Sequence, residues 1–154
     1  MSYINDIRKK VGHDPIFAPA SGCIIIKENK ILLQQRIDDK TWAIHGGYLN
    51  LGETFYEAMK RKVKEEININ PIKPKLINIY SGNDIHDIYP NKDEVYGILA
   101  TYIAYDYEGT LQHNKDEVIN LKWFDINDLP ENIHNIDKKL IKEAILFYKK
   151  DLNL

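Results

Sequence analysis

Two adjacent glutamates, Glu65 and Glu66, close the segment "GETFYEAMKRKVKEEI", which follows the glycine pair Gly46-Gly47. Neighbouring carboxylates offer oxygen ligands to a hard divalent cation such as Mg²⁺ or Mn²⁺. Glycines ahead of a helix let the backbone approach a ligand closely, and the Gly46 carbonyl there is a further oxygen ligand. A helix N-terminus nearby favours anionic groups such as phosphate. Lys62 stands one turn before the glutamates. It puts a positive charge where a cation site would least want one.

On a helical projection, Phe55, Ala58, Met59, Val63 and Ile67 fall on one broad arc. Lys62 and Glu66 project into that arc, between Ala58 and Met59, and Glu65 lies at its edge beside Ala58. Solvated charges would sit opposite. Buried charge is expensive unless it is paired or coordinates a metal. Two readings stand. Lys62 and Glu66 can be an i, i+4 ion pair at the core border, or Glu65 and Glu66 can hold a divalent ion. They overlap, because a Lys62 pair would compete with the ion for Glu66.

Several elements must position these residues. Ser2 is expected to cap a short helix over 2–11, closed by Gly12. "SGCIIIKENKILLQQR" reads as a hairpin around the polar turn "KENK", and "TWAI" as a short extended piece. The stretch from Glu53 to Ile67 is predicted helical and cannot continue past Pro71 and Pro74. "KLINIYSG", "VYGILATYIAYDY" and "NLKWFDI" read as strands, the second nearly continuous in apolar residues as in the middle of a sheet. "DINDLP" reads as a single turn. "DKKLIKEAILFYKK" carries apolar residues at 140, 141, 144, 145 and 148, the pattern of a helix packed on a sheet. The order implies a mixed α/β sheet with helices on both sides. Residues 82–94 and 109–117 read as long loops, each ending in Asp-Glu. Such loops line sites, or else carry solvated surface charge.

A chain of 154 residues with 44% hydrophobic and 29% charged residues fits one soluble domain over 1–154, with its core over about 18–148. The formal net charge of -2 argues against nucleic acid as partner. The N-terminus has no apolar signal core and no apolar run could span a bilayer, so no membrane is expected and the location expected is cytoplasmic. Cys23, the one cysteine, reads as a small buried hydrophobe.

The glycine–helix segment resembles the signature of the Nudix hydrolases (MutT-like). That signature is Gly, five residues, Glu, seven residues, Arg-Glu, an aliphatic, one residue, Glu-Glu, one residue, Gly and an aliphatic. Gly47, Glu53, Arg61, Val63, Glu65, Glu66 and Ile69 fall on it in register. The flanks "ILLQQR", "TWAIHGG" and "LKWFDINDLP" are similar too. The resemblance implies an α/β/α sandwich with a mixed β-sheet. It implies hydrolysis of a diphosphate linked to another moiety, dependent on Mg²⁺ or Mn²⁺. Carried over by position, Glu65 and Glu66 are metal ligands with the Gly46 carbonyl, Glu53 and Arg61 form an orienting pair, and Glu117 supplies a late carboxylate and candidate base. Glu94 is the other candidate for that role. The expected partner is a small nucleoside diphosphate derivative, and a homodimer is left open.

Three positions depart from the signature: Lys62 for Glu, Asn68 for the late Gly, and His45 for a Pro before the glycine pair. Asn tolerates the left-handed conformation well. Lys62 is the serious change. At ~4 Å and an effective dielectric near 20, two unit charges interact by roughly 4 kcal/mol, and here the sign is reversed. The implied enzyme therefore holds its metal weakly, and the alternative is a module that binds a nucleotide-like ligand without cleaving it. Tyr48, Tyr89 and Tyr96 could stack on a base, although tyrosine is abundant here. His86 and His113 have no metal-ligand spacing and read as solvent-exposed.

Overall fold

The computed structural model describes residues 2–154. Helix α1 (Tyr3–Val11) is capped by the Ser2 hydroxyl, which accepts from the Asn5 N–H. Strands β1 (Ile16–Lys27) and β2 (Lys30–Arg36) form the expected hairpin, turned by Glu28 and Asn29, both at positive φ. The short strands β3 (Trp42–Ala43) and β4 (His45–Tyr48) follow. Helix α2 (Phe55–Ile67) begins after an N-cap at Thr54, so Glu53 lies just outside it, and ends at Asn68 in the left-handed conformation. Next come β5 (Ile69–Pro71), β6 (Lys75–Tyr80), a 3₁₀ turn at Asn83–Ile85, β7 (His86–Ile88) and β8 (Glu94–Ala104). Strands β9 (Tyr107–Gly109) and β10 (Val118–Asp125) precede α3 (Asn135–Asp151).

One mixed sheet runs β10-β2-β1-β8-β6, with β1 and β8 parallel and its other pairings antiparallel. Helices α2 and α3 lie on its opposite faces. Met59, Val63 and Ile67 of α2 pack with Cys23, Ile25 and Leu32. Leu140, Ile141, Ala144 and Ile145 of α3 pack with Ile24, Ile26, Ile31 and Leu33. Successive strand residues point to opposite faces, so the unbroken run "CIII" feeds both layers at once. Each such buried Ile or Leu contributes roughly 1.5–3 kcal/mol. The result is the expected α/β/α sandwich. Cys23 is fully buried, and burial pushes its thiol up.

Three expectations need correction. The segment 82–94 is not a plain loop. Its middle forms the 3₁₀ turn and β7, which pairs with β8. The run to Tyr107 is not one strand, because β8 stops at Ala104 and Tyr107 starts β9, which joins β5 in a separate small sheet. Pairing with β5 uses only three residues per strand, too few for a periodic pattern to register. Finally, the last helix starts at Asn135, two residues before Asp137.

The α3 side of the sheet is hollow at one end. There β1 carries Ala20 and Gly22 where further along it carries Ile24 and Ile26, and β8 adds Gly97. Ile44 and Ile85 pack against the two glycines, and together with the end of α3 they border a cavity of about 410 Å³. No helix among the described residues is long and apolar enough to cross a membrane.

Candidate functional site

The cavity runs from the α2 carboxylates to the N-terminus of α3. At the α2 end the decisive geometry is that of Glu53 and Arg61. Arg61 Nε donates to Glu53 Oε2 at 2.6 Å and a second guanidinium nitrogen donates to Glu53 Oε1 at 2.9 Å. That second nitrogen also donates to the Tyr48 carbonyl at 3.0 Å, and the third reaches Glu65 at 3.1 Å. Glu53 in turn accepts from the Asn50 N–H at 2.6 Å. One guanidinium thus ties helix, loop and β4 together through a planar, two-pronged contact that Lys could not copy. The contact holds Glu53 below the usual carboxylate range.

Glu65 and Glu66 are neighbours in sequence but not in environment. Glu65 is 46% exposed and shares Arg61 and Lys62. Glu66 is 6% exposed. Gly46 N–H donates to Glu66 Oε1 at 2.7 Å and the Gln34 amide donates to Oε2 at 3.2 Å. Burial pushes Glu66 up to about 7, against the lowering influence of Lys62, Gln34 and Gly46. The Gln34 amide also lies 2.7 Å from the ring of His45. That ring is fully buried, reaches the Leu32 carbonyl at 3.0 Å, and is driven by burial down to about 4. His45, where the signature has Pro, therefore anchors the far side of Gln34.

The glycines serve close approach. A Cβ on Gly46 would lie 2.4 Å from the Ser21 carbonyl oxygen, and one on Gly47 would lie 2.5 Å from Lys62 Cε. Gly46 has to press on β1 for its N–H to meet Glu66. Gly47 has to stay bare for the Lys62 stem to lie across it. What the structure records for Gly46 is this N–H and its place opposite Gly22.

The Lys62 ammonium lies 3.4 Å from Glu65 Oε2 and 3.9 Å from Glu117 Oε1, and its side chain is 16% exposed. The expected Lys62–Glu66 pair is not formed. Glu66 turns toward Gly46 and Gln34, which hydrogen-bond its two oxygens, while the Lys62 charge still acts on it through space. Lys62 instead bridges α2 to the loop after β9, so Glu117 does approach the α2 carboxylates. Glu94 does not. It pairs with His86 at 2.7 Å and its carbonyl accepts from Arg8.

At the other end stand Asp137, His134 and Arg36, which the sequence did not single out, beside Tyr48 and Tyr89, which it did. Asp137 is buried, accepts from the Ile44 N–H at 2.9 Å, and is raised by burial. His134 Nε2 is 3.3 Å from Asp87 Oδ2. Arg36 lines the same cavity. Tyr48 and Tyr89 meet there through their hydroxyls, and burial raises both. Tyr96 stacks on His86 instead, with centroids 4.4 Å apart. His86 and His113 are half-buried, so the expectation of solvent-exposed rings is corrected. His86 is held between Glu94 and Tyr96.

The NUDIX domain family model matches residues 16–144. The chain belongs to the Nudix family. Nudix hydrolases act on pyrophosphate bonds. The ADP-ribose pyrophosphatase of Methanocaldococcus jannaschii is 31% identical over 123 residues, 78% of this chain and 68% of that protein. The NAD-capped RNA hydrolase NudC of Vibrio atlanticus is 29% identical over 130 residues, 80% of this chain but only 45% of that protein. This chain thus spans less than half the length of NudC, whose name stands against the charge-based expectation of no nucleic acid. The NUDIX domain of Shewanella oneidensis NrtR, solved with ADP ribose, superposes with a TM-score of 0.72 at 17% identity, covering 96% of this chain and 99% of that one.

Nudix hydrolases generally use divalent metal ions such as Mg²⁺. Here the donors are of the right kind, hard carboxylate oxygens, but their arrangement does not fit. An ammonium lies between Glu65 and Glu117, and both Glu66 oxygens are engaged. Among the described residues no three His, Cys, Asp or Glu side chains are grouped to hold a metal ion.

Proposed function

We propose that the chain hydrolyses the diphosphate bond of a nucleoside diphosphate derivative, in the class of ADP-ribose, with an impaired hold on Mg²⁺ or Mn²⁺. The observation that carries this reading is the Lys62 ammonium set between Glu65 and Glu117 beside an intact Glu53–Arg61 clamp. The clamp orients the helix and loop, as Nudix chemistry requires of its site. The ammonium takes the place of a cation between Glu65 and Glu117, and Glu66 is held by the Gly46 N–H and Gln34, so an ion would be coordinated only once both sets of contacts gave way. The name of the archaeal relative supports the substrate class.

The residues of the chain then divide the work. Arg61 and Glu53 fix the position of Glu65. Glu117, 45% exposed at the cavity rim, is the candidate base that takes a proton from the attacking water. Lys62 faces the charge of the diphosphate. The second reading is a Nudix-fold module that binds such a ligand without cleaving it, and Lys62 is the observation that favours it.

Lys62→Glu separates the two. On the hydrolase reading it raises Mg²⁺ affinity at least tenfold in a calorimetric titration, and it raises the hydrolysis of ADP-ribose or another member of a nucleoside diphosphate panel. Tight Mg²⁺ binding by Lys62→Glu with no cleavage of any panel member sinks the hydrolase reading and leaves the binding module.

A further inference from the structure

Glu117 must be held in place to act at the cavity rim, and its ion pair does not hold it. The Lys62 ammonium is 3.9 Å from Glu117 Oε1, and the carboxylate is half exposed. Ion pairs open to water contribute little. The backbone holds Glu117 instead. The last carbonyls of a helix have no partner within it. At the end of α2 the loop after β9 supplies partners. Asn114 N–H donates to the Glu66 carbonyl at 2.8 Å, and Gln112 N–H donates to the Ile67 carbonyl at 3.2 Å. Asn68, standing where the signature has Gly, adds its side-chain amide, which donates to the Thr110 carbonyl at 3.0 Å.

Asn114 is the hub of this junction. Its carbonyl accepts from the Glu117 N–H at 3.1 Å and from the Val118 N–H at 2.9 Å. Its side-chain Oδ1 accepts from the Asp116 N–H at 3.0 Å. Asn side chains close turns in this way, by bonding the N–H two residues on. Two consecutive hydrogen bonds therefore join the backbone of Glu66 to that of Glu117, through Asn114 alone. Any residue at 114 could make the backbone bonds. Only the bond to Asp116 needs the side chain, and it is the one that sets the turn carrying Glu117.

We propose that Asn114 is a positioning residue for Glu117: by closing the turn 114–117 on the end of α2, it sets where that carboxylate stands relative to Glu65 and Glu66. This rests on the hydrolase reading above, with Glu117 as the base. A base that drifts leaves substrate binding in place and slows the proton transfer, because general-base catalysis depends on hydrogen-bond reach to the attacking water.

Four full-length proteins test it: wild type, Asn114→Ala, Glu117→Gln and the double variant, assayed on the panel member that the wild type cleaves. Asn114→Ala should lower kcat roughly tenfold with KM within about twofold. In the Glu117→Gln background the same substitution should change kcat by less than about twofold, because no base remains to be placed. Asn114→Leu should act like Asn114→Ala with side-chain volume kept, whereas Asn114→Asp keeps the Oδ1 acceptor and should recover most of the rate. Hydrogen exchange gives a readout that needs no turnover. The amides of Asp116, Glu117 and Val118 should exchange faster in Asn114→Ala, with those of α3 unchanged. A merely structural Asn114 would lower kcat alike in both backgrounds or speed exchange throughout the chain, and either result overturns the proposal. So does an unchanged kcat in Asn114→Ala when Glu117→Gln is slow. If the wild type cleaves no panel member, or Glu117→Gln leaves the rate unchanged, the reading of Glu117 as base fails and takes this assignment with it.

Discussion

The two ends of the cavity are built on opposite plans. At the α2 end, Glu53, Arg61, Lys62 and Glu65 come from one contiguous stretch and satisfy one another, with Glu117 joining from the loop after β9. At the α3 end, Arg36 comes from β2, Asp87 from β7, and His134 and Asp137 from the start of α3. The first end is rich in paired charge and half exposed. The second is drier, and one of its ring nitrogens is unpaired. A cluster that satisfies itself is suited to hold geometry through a reaction. A cluster that joins β2, β7 and the start of α3 is suited to fix the cavity wall.

That contrast can be broken by substitution. The largest effect belongs to Glu117. If it is the base, Glu117→Gln lowers hydrolysis by ~10²-fold or more, with the melting temperature unchanged. An unchanged rate would return Glu117 to the solvated surface. Arg61→Lys comes next. A lysine keeps the charge but not the two-pronged contact, so activity should fall by roughly 10-fold or more without loss of the fold. Equal activity would mean that the clamp orients nothing.

The α3 end should respond in stability rather than rate. Asp137→Ala leaves the Ile44 N–H without its acceptor in a buried place, a loss of roughly 1–3 kcal/mol in denaturant unfolding. No loss would show that water replaces the carboxylate there.

The most delicate test is pH. Folding raises Glu66 from 4.5 to about 7. The folded state therefore holds its proton more tightly than the unfolded chain does. That contribution is fully present below the unfolded value and is lost as pH rises through the folded one. Gln at this position does not titrate and still accepts from Gly46. The stability of Glu66→Gln relative to wild type should thus rise between pH 4.5 and 7, by roughly 1–3 kcal/mol. A difference that stays flat with pH would mean that folding does not shift Glu66.

The α2 end was legible because its residues are close in sequence, and helical spacing converts sequence distance into spatial distance. The projection placed Glu66 against the core and Glu65 at its edge, and they are 6% and 46% exposed. It erred on the partner of Lys62, because a projection gives direction from one helix only. Gly46 and Gln34 compete from β4 and β2, and no helical wheel contains them. Asp87 was hidden for a similar reason. It sits in a segment read as a loop, and three residues of β7 are too short to show an alternation. Asp137 read as one more acid at the start of a helix.

The sequence by itself determined the sandwich, its hairpin, both packing helices and the Glu53–Arg61–Glu65 spacing. These depend on periodicity and local distance, which a chain carries in its order. Only the tertiary structure decided that Glu66 faces Gly46 instead of Lys62, that β7 delivers Asp87 to His134, and that Ile44 and Ile85 pack on Gly22 and Gly97 at the cavity. Each of these joins residues from different strands and helices. Burial and pairing energies between such residues depend on distances that exist only once the sheet has closed, and no local pattern encodes them.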